Sequence, residues 1–211
     1  MFRSSALRSA PVSAPLPQQA PSQAASNVLF EIHRSRVQIR QVRAQDRQWL
    51  PALCDLLVDA VHHGASLGFL APMSRHMAMD YWDAVFARLG PQQALWIALE
   101  SDEGPLQGCV QFSACALAHH RGEVRQMMVH SRSRGRGIAS QLMNRLECTA
   151  LDQGRTLLVL ETPSGSQAEA VCAHLGWQRA GEIPDFGACA EGRLHASAMY
   201  YKRLQKIETV S

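Results

Sequence analysis

The chain has 211 residues, of which 46% are hydrophobic, enough for one domain with an ordinary core and a short appendage. Its formal net charge is only +3, and the arginines cluster locally instead of forming an extended basic track. This distribution argues against nucleic-acid binding and favours a small polyanionic ligand. Because no apolar stretch approaches about 18 residues, no membrane-spanning helix is expected.

Cysteine and histidine spacing argues against a metal site. The six cysteines include no C-x-x-C pair and lie mostly in apolar segments, so we expect reduced, buried thiols in a cytoplasmic protein. None of the nine histidines has both a ligating partner and a carboxylate at helical spacing, even in the pairs His62-His63 and His119-His120. The sequence therefore predicts no bound metal.

Residues 1–34 differ in composition from the rest of the chain. They are rich in Ala, Ser, Pro and Gln, and no acidic residue precedes Glu31. Such a segment cannot bury enough apolar surface to fold, so we predict a disordered leader before a domain at residues 35–211. A transit peptide and a start site placed too far upstream are the alternatives. Four prolines interrupt any amphipathic helix of a transit peptide: Pro11, Pro15, Pro17 and Pro21.

After the leader, hydrophobic periodicity predicts one strand and then two helices. Apolar and polar residues alternate over residues 37–42, as in a half-buried strand. Asp46 is predicted to cap a helix that runs to Val61, and Ser74 to cap a second helix that runs to Leu89. A pair of helices therefore precedes the main sheet.

The rest of the chain alternates between strands and helices. Residues 94–100 and 107–115 are predicted to form two strands of a hairpin around the turn Ser101–Pro105. Residues 156–161 are almost wholly apolar, as expected of a central strand covered on both faces. The other predicted elements are, in order, a strand, two helices and two strands: residues 123–129, 140–153, 168–175, 177–183 and 195–202.

The turn after the strand at residues 123–129 has the composition of an anion-binding site. Its sequence, RSRGRGIA from Arg132 to Ala139, leads into the next helix. Gly135 and Gly137 allow a bulky phosphate to approach the backbone, and the positive helix end and the arginines attract its charge. A dinucleotide fingerprint or a P-loop fits poorly, because the glycine spacing differs and no Lys-Ser/Thr follows.

The loop has the motif R-x-x-G-x-G at Arg132–Gly137, which resembles the acyl-CoA signature of the GNAT N-acetyltransferase superfamily. The order of predicted elements, β-α-α-β-β-β-α-β-α-β-β, extends the resemblance over roughly Val37 to Leu204. Several stretches are more specifically similar to the tabtoxin-resistance acetyltransferases: GASLGFL, EVRQMMVHSRSRGRGIASQLM, LLVLET, HLGWQRAGEIPDF and MYYKRL. The resemblance implies an α/β fold with a mixed central sheet of about seven strands flanked by four helices.

The implied reaction is transfer of the acetyl group of acetyl-CoA to a primary amine by direct attack, with a small amino-acid-like metabolite or toxin as acceptor. In the family, main-chain groups of the strand before the loop bind the pantetheine arm, which here implies Met127, Met128 and Val129. The loop holds the pyrophosphate, and Arg132 fixes the loop. The residues implied for the pyrophosphate are Arg134, Gly135, Arg136, Gly137, Ile138 and Ala139.

Two carboxylates are candidates for the proton acceptor. Glu123 matches a position where some members carry a catalytic glutamate, and Glu161 ends the next strand, where relatives commonly have an acid. An ordinary ion-pairing or capping role is the alternative for each. Strand alternation predicts one face with Glu123, Arg125, Met127 and Val129, and the other with Val124, Gln126 and Met128. Polar groups on both faces indicate a wet cavity or mutual pairing.

The general acid is not assigned by the resemblance. Many members have a tyrosine four residues before the glycine of a later turn, and here that position is Cys172, a catalytic candidate whose thiol could donate the proton although it is shorter than a phenol. Tyr200, Tyr201 or a water molecule could substitute, and packing alone would also explain the cysteine. The cysteine supports the alternative of a non-catalytic acyl-CoA-binding sensor.

The acceptor amine is expected to bind between two loops. Ser66 and Phe69 lie in the connection between the first two helices, and Asp185 lies in a late loop, where its charge could attract an ammonium group. A protein N-terminus or lysine is an alternative acceptor, and a homodimer is compatible with the sequence.

Overall fold

Seven β-strands and four α-helices make up residues 37–205, the part of the chain that this computed structural model describes. The strands are β1 (Gln38–Val42), β2 (Gln93–Leu99), β3 (Leu106–Ala114), β4 (Arg121–Val129), β5 (Leu157–Pro163), β6 (Gln178–Ala188) and β7 (Leu194–Arg203). The α-helices are α1 (Leu50–His62), α2 (Arg75–Phe86), α3 (Ile138–Asp152) and α4 (Gln167–His174). Their order confirms the expected α/β fold. The predicted leader at residues 1–34 lies outside the described residues.

The seven strands form one mixed sheet, in the order β1-β2-β3-β4-β5-β7-β6. β4 and β5 run parallel, and the other neighbouring strands run antiparallel. The parallel pairing is short, since it starts at Arg121 opposite Leu157 and ends at Glu123 opposite Val159. Beyond Glu123 the two strands are no longer paired, so the middle of the sheet contains a gap.

The four helices are short, and their starts differ. Ser74 accepts a hydrogen bond (3.2 Å) from a backbone N–H in the first turn of α2 and so confirms the predicted cap. The predicted cap of the first helix is wrong. Asp46 accepts the Arg43 N–H instead, a 3₁₀ turn follows, and α1 starts at Leu50, where Pro51 suits a first turn. Among the described residues, no helix combines the length and apolarity that a bilayer crossing requires.

Helices pack on both faces of the sheet, and each face has its own core. On the α1/α2 face, α1 and α2 cover β1 to β4, and the strand residues in this core include Leu95, Ile97, Leu99, Cys109 and Met128. On the α3/α4 face, α3 and α4 cover β2 to β5 and β7, and the strand residues in that core include Trp96, Val110, Phe112, Leu158 and Tyr200. Neighbouring residues such as Trp96 and Ile97 therefore point to opposite cores, as strand geometry requires.

β5 is covered on one face, although its apolar sequence predicted cover on both. Leu158 and Leu160 are buried in the α3/α4 core, whereas Glu161 on the other face is exposed. The reason is the reach of the helices, since the strand residues of the α1/α2 core come from β1 to β4 alone within the described residues. The α1/α2 face of β5 and β7 is left open, and the candidate site lies there.

Candidate active site

The gap between β4 and β5 opens into a cavity of about 970 Å³. Its lining comes from β4, the end of β5, the start of α4, the α1–α2 connection and the adjoining ends of β6 and β7. Cys172 and Leu160 line it from the α3/α4 face, and Ser66 and His195 line it from the α1/α2 face. The cavity therefore passes through the sheet, and two ligands can approach it from opposite faces.

A β-bulge shapes the β4 wall of this cavity. Gln111 of β3 pairs with Arg125, and Cys109 pairs with Met128, so β4 has one residue more than β3 between these points. The backbone of Gln126 in this stretch has φ of +48°, a left-handed conformation that is uncommon outside glycine. The bulge therefore bends the strand where the pairing with β5 has already ended.

The bulge corrects the predicted faces of β4. An extra residue reverses the alternation, so Val124 packs in the α3/α4 core while Met128 packs in the α1/α2 core. Met127 and Val129, which were expected beside Glu123, pack against the α3/α4 core instead. A strict period of two cannot anticipate this reversal, because the inserted residue carries no side-chain signal.

The side chain of Gln126 is held in an unfavourable state. Its Nε2 donates to the Leu67 carbonyl of the α1–α2 connection (3.2 Å), but its Oε1 is buried without a partner among the described residues. A buried unpaired acceptor costs about 1–3 kcal/mol, and the left-handed φ adds strain. Such costs cluster at functional sites, so the bulge belongs to the candidate site.

The loop between β4 and α3 has the geometry of a phosphate cradle. Gly135 and Gly137 both have φ of +75°, and a Cβ at Gly135 would meet no heavy atom within 4 Å. Within residues 37–205 no side chain caps α3 at Gly137, and the first turn of the helix contains no acidic residue. The start of α3 can therefore offer its N–H groups to an anion.

The other residues of the loop differ in what they contact. Arg134 lines the cavity, and its Nε donates to the Val129 carbonyl (3.4 Å). Arg136 lies 3.8 Å from Glu100, and Arg132 is exposed in the short 3₁₀ turn Ser131–Ser133. Two residues at the start of α3, Ile138 (buried) and Ala139 (half-buried), carry no polar side chain and so have only main-chain polar groups to offer a ligand.

Asp59, near the end of α1, holds the start of this loop. Its carboxylate accepts hydrogen bonds from the Ser131 N–H (2.8 Å) and hydroxyl (2.7 Å), and Nδ1 of His63 and of His130 lie 3.2 and 3.6 Å away. Burial alone would raise the pKa of Asp59, but these hydrogen bonds and histidines outweigh burial and lower the pKa. Asp59 lies one helical turn before His63, a spacing that was not recognised from the sequence. Even so, residues 37–205 contain no cluster of His, Cys, Asp or Glu arranged to hold a metal ion.

The two candidate carboxylates lie on the α1/α2 face. Glu123 pairs with Val159 at the end of the parallel register, and Glu161 lies two residues further along β5, hence on the same face. Glu123 forms an ion pair with Arg125 (3.5 Å), and both side chains are about half exposed. One oxygen of Glu161 accepts a hydrogen bond from the buried Ser197 hydroxyl on β7 (2.8 Å). Solvent and mutual pairing both reduce the cost of these charges.

Ser66, an expected acceptor contact, is joined to a histidine that the sequence analysis missed. The Oγ of Ser66 lies 2.6 Å from Nε2 of His195 on β7 and donates to the Ala188 carbonyl on β6 (2.8 Å). His195 lies on the same face of β7 as Ser197, which is the face that carries Glu161 in the register with β5. The pair therefore joins the α1–α2 connection to the open part of the sheet.

The sequence matches that of a known enzyme family over the elements that build this site. The sequence model of the acetyltransferase (GNAT) family matches residues 58–177, which are 120 of the 211 residues. The chain belongs to the GNAT family. Membership makes the protein an acetyl-CoA-dependent N-acetyltransferase, and the match does not specify the acceptor.

Solved structures share the GNAT fold at low sequence identity. A phosphinothricin acetyltransferase from Sinorhizobium meliloti, in complex with acetyl-CoA, has a TM-score of 0.65 and 17% identity, covering 83% of this chain and 92% of its own. The structure of yncA from Salmonella typhimurium, solved with its cofactor acetyl-CoA, has a TM-score of 0.64 and 19% identity, covering 84% of this chain and 99% of its own. A ribosomal-protein-S5-alanine acetyltransferase from Vibrio fischeri has a TM-score of 0.66 and 17% identity, covering 81% of this chain and 94% of its own. At these identities the likeness concerns the fold.

The residues of this GNAT chain fit acetyl-CoA. The open side of Gly135 and the uncapped start of α3 suit a diphosphate, which is anionic and bulky. The edge of β4 beyond Glu123, which β5 does not pair, suits the amide groups of a pantetheine arm. The cavity connects the β4 edge to Arg134, so a long cofactor can reach both.

Cys172 stands where many GNAT enzymes have a tyrosine, and its side chain is buried at the cavity wall. Burial, with a smaller contribution from the charge of Glu169, raises the pKa of Cys172 to about 11, so the thiol stays protonated at neutral pH. Tyr200 is buried on the α3/α4 face, where its hydroxyl donates to Glu169 (2.8 Å), and Tyr201 lies on the opposite face. Neither tyrosine is among the cavity-lining residues of the described chain.

The structure does not bring Phe69 and Asp185 into the cavity lining. Phe69 packs edge-on against Tyr81, with ring centroids 5.1 Å apart, and Asp185 is exposed on β6 with φ of +53°. The residue after it, Phe186, lines the cavity instead.

The site residues that the sequence analysis missed depend on long-range pairs. Asp59 contacts Ser131 over a separation of 72 residues, and Ser66 contacts His195 over 129 residues. The spacing of Asp59 and His63 was the one local signal that could have revealed part of this network.

Proposed function

We propose that this enzyme acetylates the primary amine of a small, amino-acid-like molecule, by direct attack of the amine on the thioester of acetyl-CoA. The observation that carries the proposal is the cavity through the gap between β4 and β5. It connects the cofactor loop with the open α1/α2 face, where Glu123 and Glu161 lie. Two substrates approaching from opposite faces can therefore be held in reacting positions.

On the cofactor side, main-chain groups do most of the binding. We assign the pantetheine arm to the edge of β4 at Met127, Met128 and Val129, and the pyrophosphate to the N–H groups of Arg134–Ala139. Arg134 connects the two parts, because its hydrogen bond to the Val129 carbonyl ties the loop to the strand. When bound, acetyl-CoA supplies the acetyl group as a thioester, and an N–H of the bulge stabilises the developing oxyanion.

On the acceptor side, a carboxylate takes the proton of the amine. Attack forms an N–C bond and breaks the C–S bond, so one proton must leave the nitrogen and one must reach the CoA sulfur. Glu161 is the proposed proton acceptor, because Ser197 holds one of its oxygens and leaves the other without a partner among the described residues. Glu123, paired with Arg125, is the second candidate. Cys172 is assigned a packing role, and water carries the proton to the sulfur.

A small acceptor suits this cavity. Ser66 and His195 are held together at the cavity lining on the α1/α2 face, which leaves less room there for a folded partner. The similarity to tabtoxin-resistance acetyltransferases and to the phosphinothricin acetyltransferase supports an amino-acid-like acceptor, and the ribosomal-protein acetyltransferase makes a protein N-terminus the second candidate. All six cysteines are free, which supports a reducing compartment such as the cytoplasm.

Thiol release from acetyl-CoA tests the proposal. The purified chain is incubated with acetyl-CoA and, separately, with a panel of free amino acids, with phosphinothricin and with a peptide that starts with alanine. We expect acceptor-dependent release with at least one small amine and none with the peptide. Release with the peptide alone would overturn the small-molecule assignment. Acetyl-CoA binding without acceptor-dependent release from any amine would overturn the proposed reaction.

A further inference from the structure

The imidazole of His195 lies where three segments of the α1/α2 face meet: β7, the end of β6 and the α1–α2 connection. His195 pairs with Gly187 in the register of β6 and β7, and a Cβ at Gly187 would lie 2.4 Å from the ring carbon Cε1. The φ of Gly187 lies outside the left-handed region, so its backbone conformation is open to other residues. Glycine is needed at this position to make room for the ring.

Hydrogen bonds fix the orientation of this ring. Nδ1 lies 3.1 Å from the Ala196 carbonyl of the next residue on β7. The Ser66 hydroxyl donates its one hydrogen to the Ala188 carbonyl (2.8 Å), so its oxygen is left to accept from Nε2 of His195 at 2.6 Å. Ser66 is thus held by a side chain of β7 and by the main chain of β6.

The residue after Ser66 continues this chain of contacts to the other side of the gap. The Leu67 carbonyl accepts a hydrogen bond from Nε2 of Gln126, at the bulge in β4 (3.2 Å). Ser66 and Leu67 therefore form a bridge from β7 to β4, and all four residues of the bridge line the cavity. The bridge consists of His195, Ser66, Leu67 and Gln126.

We propose that His195 is a positioning residue for the acceptor. Through Ser66 it holds the α1–α2 connection across the gap, and so fixes the wall against which the acceptor amine is placed. This inference rests on the proposed acceptor site on the α1/α2 face and deepens it. The residues assigned to acetyl-CoA, Met127–Val129 and Arg134–Ala139, are not members of the bridge, and the contact between Ser66 and His195 lies at its far end on β7. Loss of that contact is therefore expected to affect the acceptor and to change acetyl-CoA binding little.

A methyl group at Gly187 tests the bridge without removing any of its members. Gly187→Ala displaces the ring of His195, and Gly181→Ala is the matched control, since it lies on the same strand, has no heavy atom within 4 Å of an added Cβ and has φ outside the left-handed region. We expect Gly187→Ala to raise the KM of the acceptor about three- to tenfold, as for loss of one or two hydrogen bonds. The Kd of acetyl-CoA stays within about twofold, and Gly181→Ala changes neither constant.

Substitutions at Ser66 separate the hydrogen bond from packing. Ser66→Ala is expected to raise the acceptor KM as much as Gly187→Ala does, and Ser66→Thr, which keeps a hydroxyl, to restore most of the wild-type value. The double variant Ser66→Ala/Gly187→Ala is expected to match the single variants, because both changes break the same contact.

Hydrogen–deuterium exchange gives a readout that does not depend on turnover. We expect faster exchange of residues 64–69 in Gly187→Ala than in Gly181→Ala, because the connection loses its anchor on β7. If no amine is acetylated by the wild-type chain, the proposed function fails while exchange still tests the bridge. The inference is overturned if Gly187→Ala and Ser66→Ala match Gly181→Ala in both exchange and acceptor KM, or if they weaken acetyl-CoA as much as the acceptor.

Discussion

The two sides of the gap between β4 and β5 are built in different ways. On the cofactor side, one continuous segment, residues 123–139, supplies a strand edge, a bulge and a helix start. On the acceptor side, side chains from separate segments meet in pairs, Ser66 with His195 and Glu161 with Ser197. The first side depends on the shape of the backbone, and the second depends on individual side-chain atoms.

This difference has a consequence for variation. Binding by main-chain groups tolerates most side-chain changes, whereas a hydrogen-bonded pair is lost when either partner changes. A scaffold of this kind can keep its reaction while its acceptor changes. Substitutions on either side of the gap should therefore act on one substrate and spare the other.

The largest effect is expected at the cofactor loop. Gly137→Glu places a side chain and a negative charge at the start of α3, and we expect the Kd of acetyl-CoA to rise roughly 100-fold or more, measured by calorimetry. Gly154→Glu is the matched control, because Gly154 follows the same helix and has a similar φ of +78°. Both variants should lose about 1–2 kcal/mol of stability from the left-handed backbone. Equal acetyl-CoA affinity in the two variants would remove the loop from the binding site.

A smaller effect, confined to the acceptor side, is expected at Glu161. Glu161→Gln removes the proposed proton acceptor and should lower kcat about 100-fold, within the range for general-base catalysis, while the Kd of acetyl-CoA stays unchanged. Glu123→Gln is the companion variant, and its expected loss is smaller because Arg125 already pairs with Glu123. If Glu123→Gln alone lowered kcat, the two roles would be exchanged. If neither did, a carboxylate base would be ruled out.

Asp59→Asn probes the contact between α1 and the cofactor loop. The change weakens two hydrogen bonds to a charged acceptor, and we expect a loss of roughly 1–3 kcal/mol in the free energy of unfolding and about a tenfold rise in the Kd of acetyl-CoA. Asp55→Asn on the same helix is the control, because Asp55 is exposed and forms a surface ion pair with Arg75. Similar losses in both variants would show that Asp59 has no special part in holding the loop.

The same variant has a definite pH signature. The pKa of Asp59 is lowered in the folded protein, so its stabilising contribution is present above the ordinary aspartate pKa of about 3.9. The contribution is lost as the pH falls through the lowered pKa, because the folded carboxylate must then take up a proton. The unfolding free energies of wild type and Asp59→Asn should therefore converge in acid. A constant difference down to low pH would contradict this account.

The smallest effect is expected at Cys172, which lies at the wall between the two sides. Cys172→Ser should change kcat by less than about threefold, because a general acid would contribute at least about 100-fold and a buried, protonated thiol is assigned only packing. Thiol-release rates at neutral pH measure this. A large loss that leaves the acetyl-CoA Kd unchanged would identify the thiol as the proton donor.

Much of the fold could be predicted because its signals are local. The cap at Ser74, the hairpin between β2 and β3, and the glycine loop before α3 are each encoded within a few residues. The errors arose where tertiary packing decides. Asp46 has the residue type of a helix cap, but its carboxylate accepts the N–H of Arg43 before it. The apolar sequence of β5 does not reveal that α1 and α2 stop short of that strand.

The candidate site divides in the same way. The cofactor loop could be predicted from its glycines and arginines, because glycine permits the left-handed backbone conformation that the loop needs. The bulge at Gln126 could not be predicted, because an inserted strand residue needs no particular side chain. The insertion shifts every later residue of β4 to the other face. The partners of Ser66 and Glu161, which are His195 and Ser197, could not be predicted either. Both lie on β7, and only the folded chain brings them close.

The segment from Asp59 to Ser66 contacts both sides of the gap. Asp59, in the last turn of α1, accepts hydrogen bonds from Ser131 at the start of the cofactor loop, and Ser66, seven residues later, is part of the acceptor wall. This short stretch of chain therefore touches both sides of the gap, and any coupling between the two substrates has a direct covalent route through it. Thermodynamic reciprocity makes such coupling symmetric. If bound acetyl-CoA changes the affinity for the acceptor by some factor, the bound acceptor changes the affinity for acetyl-CoA by the same factor.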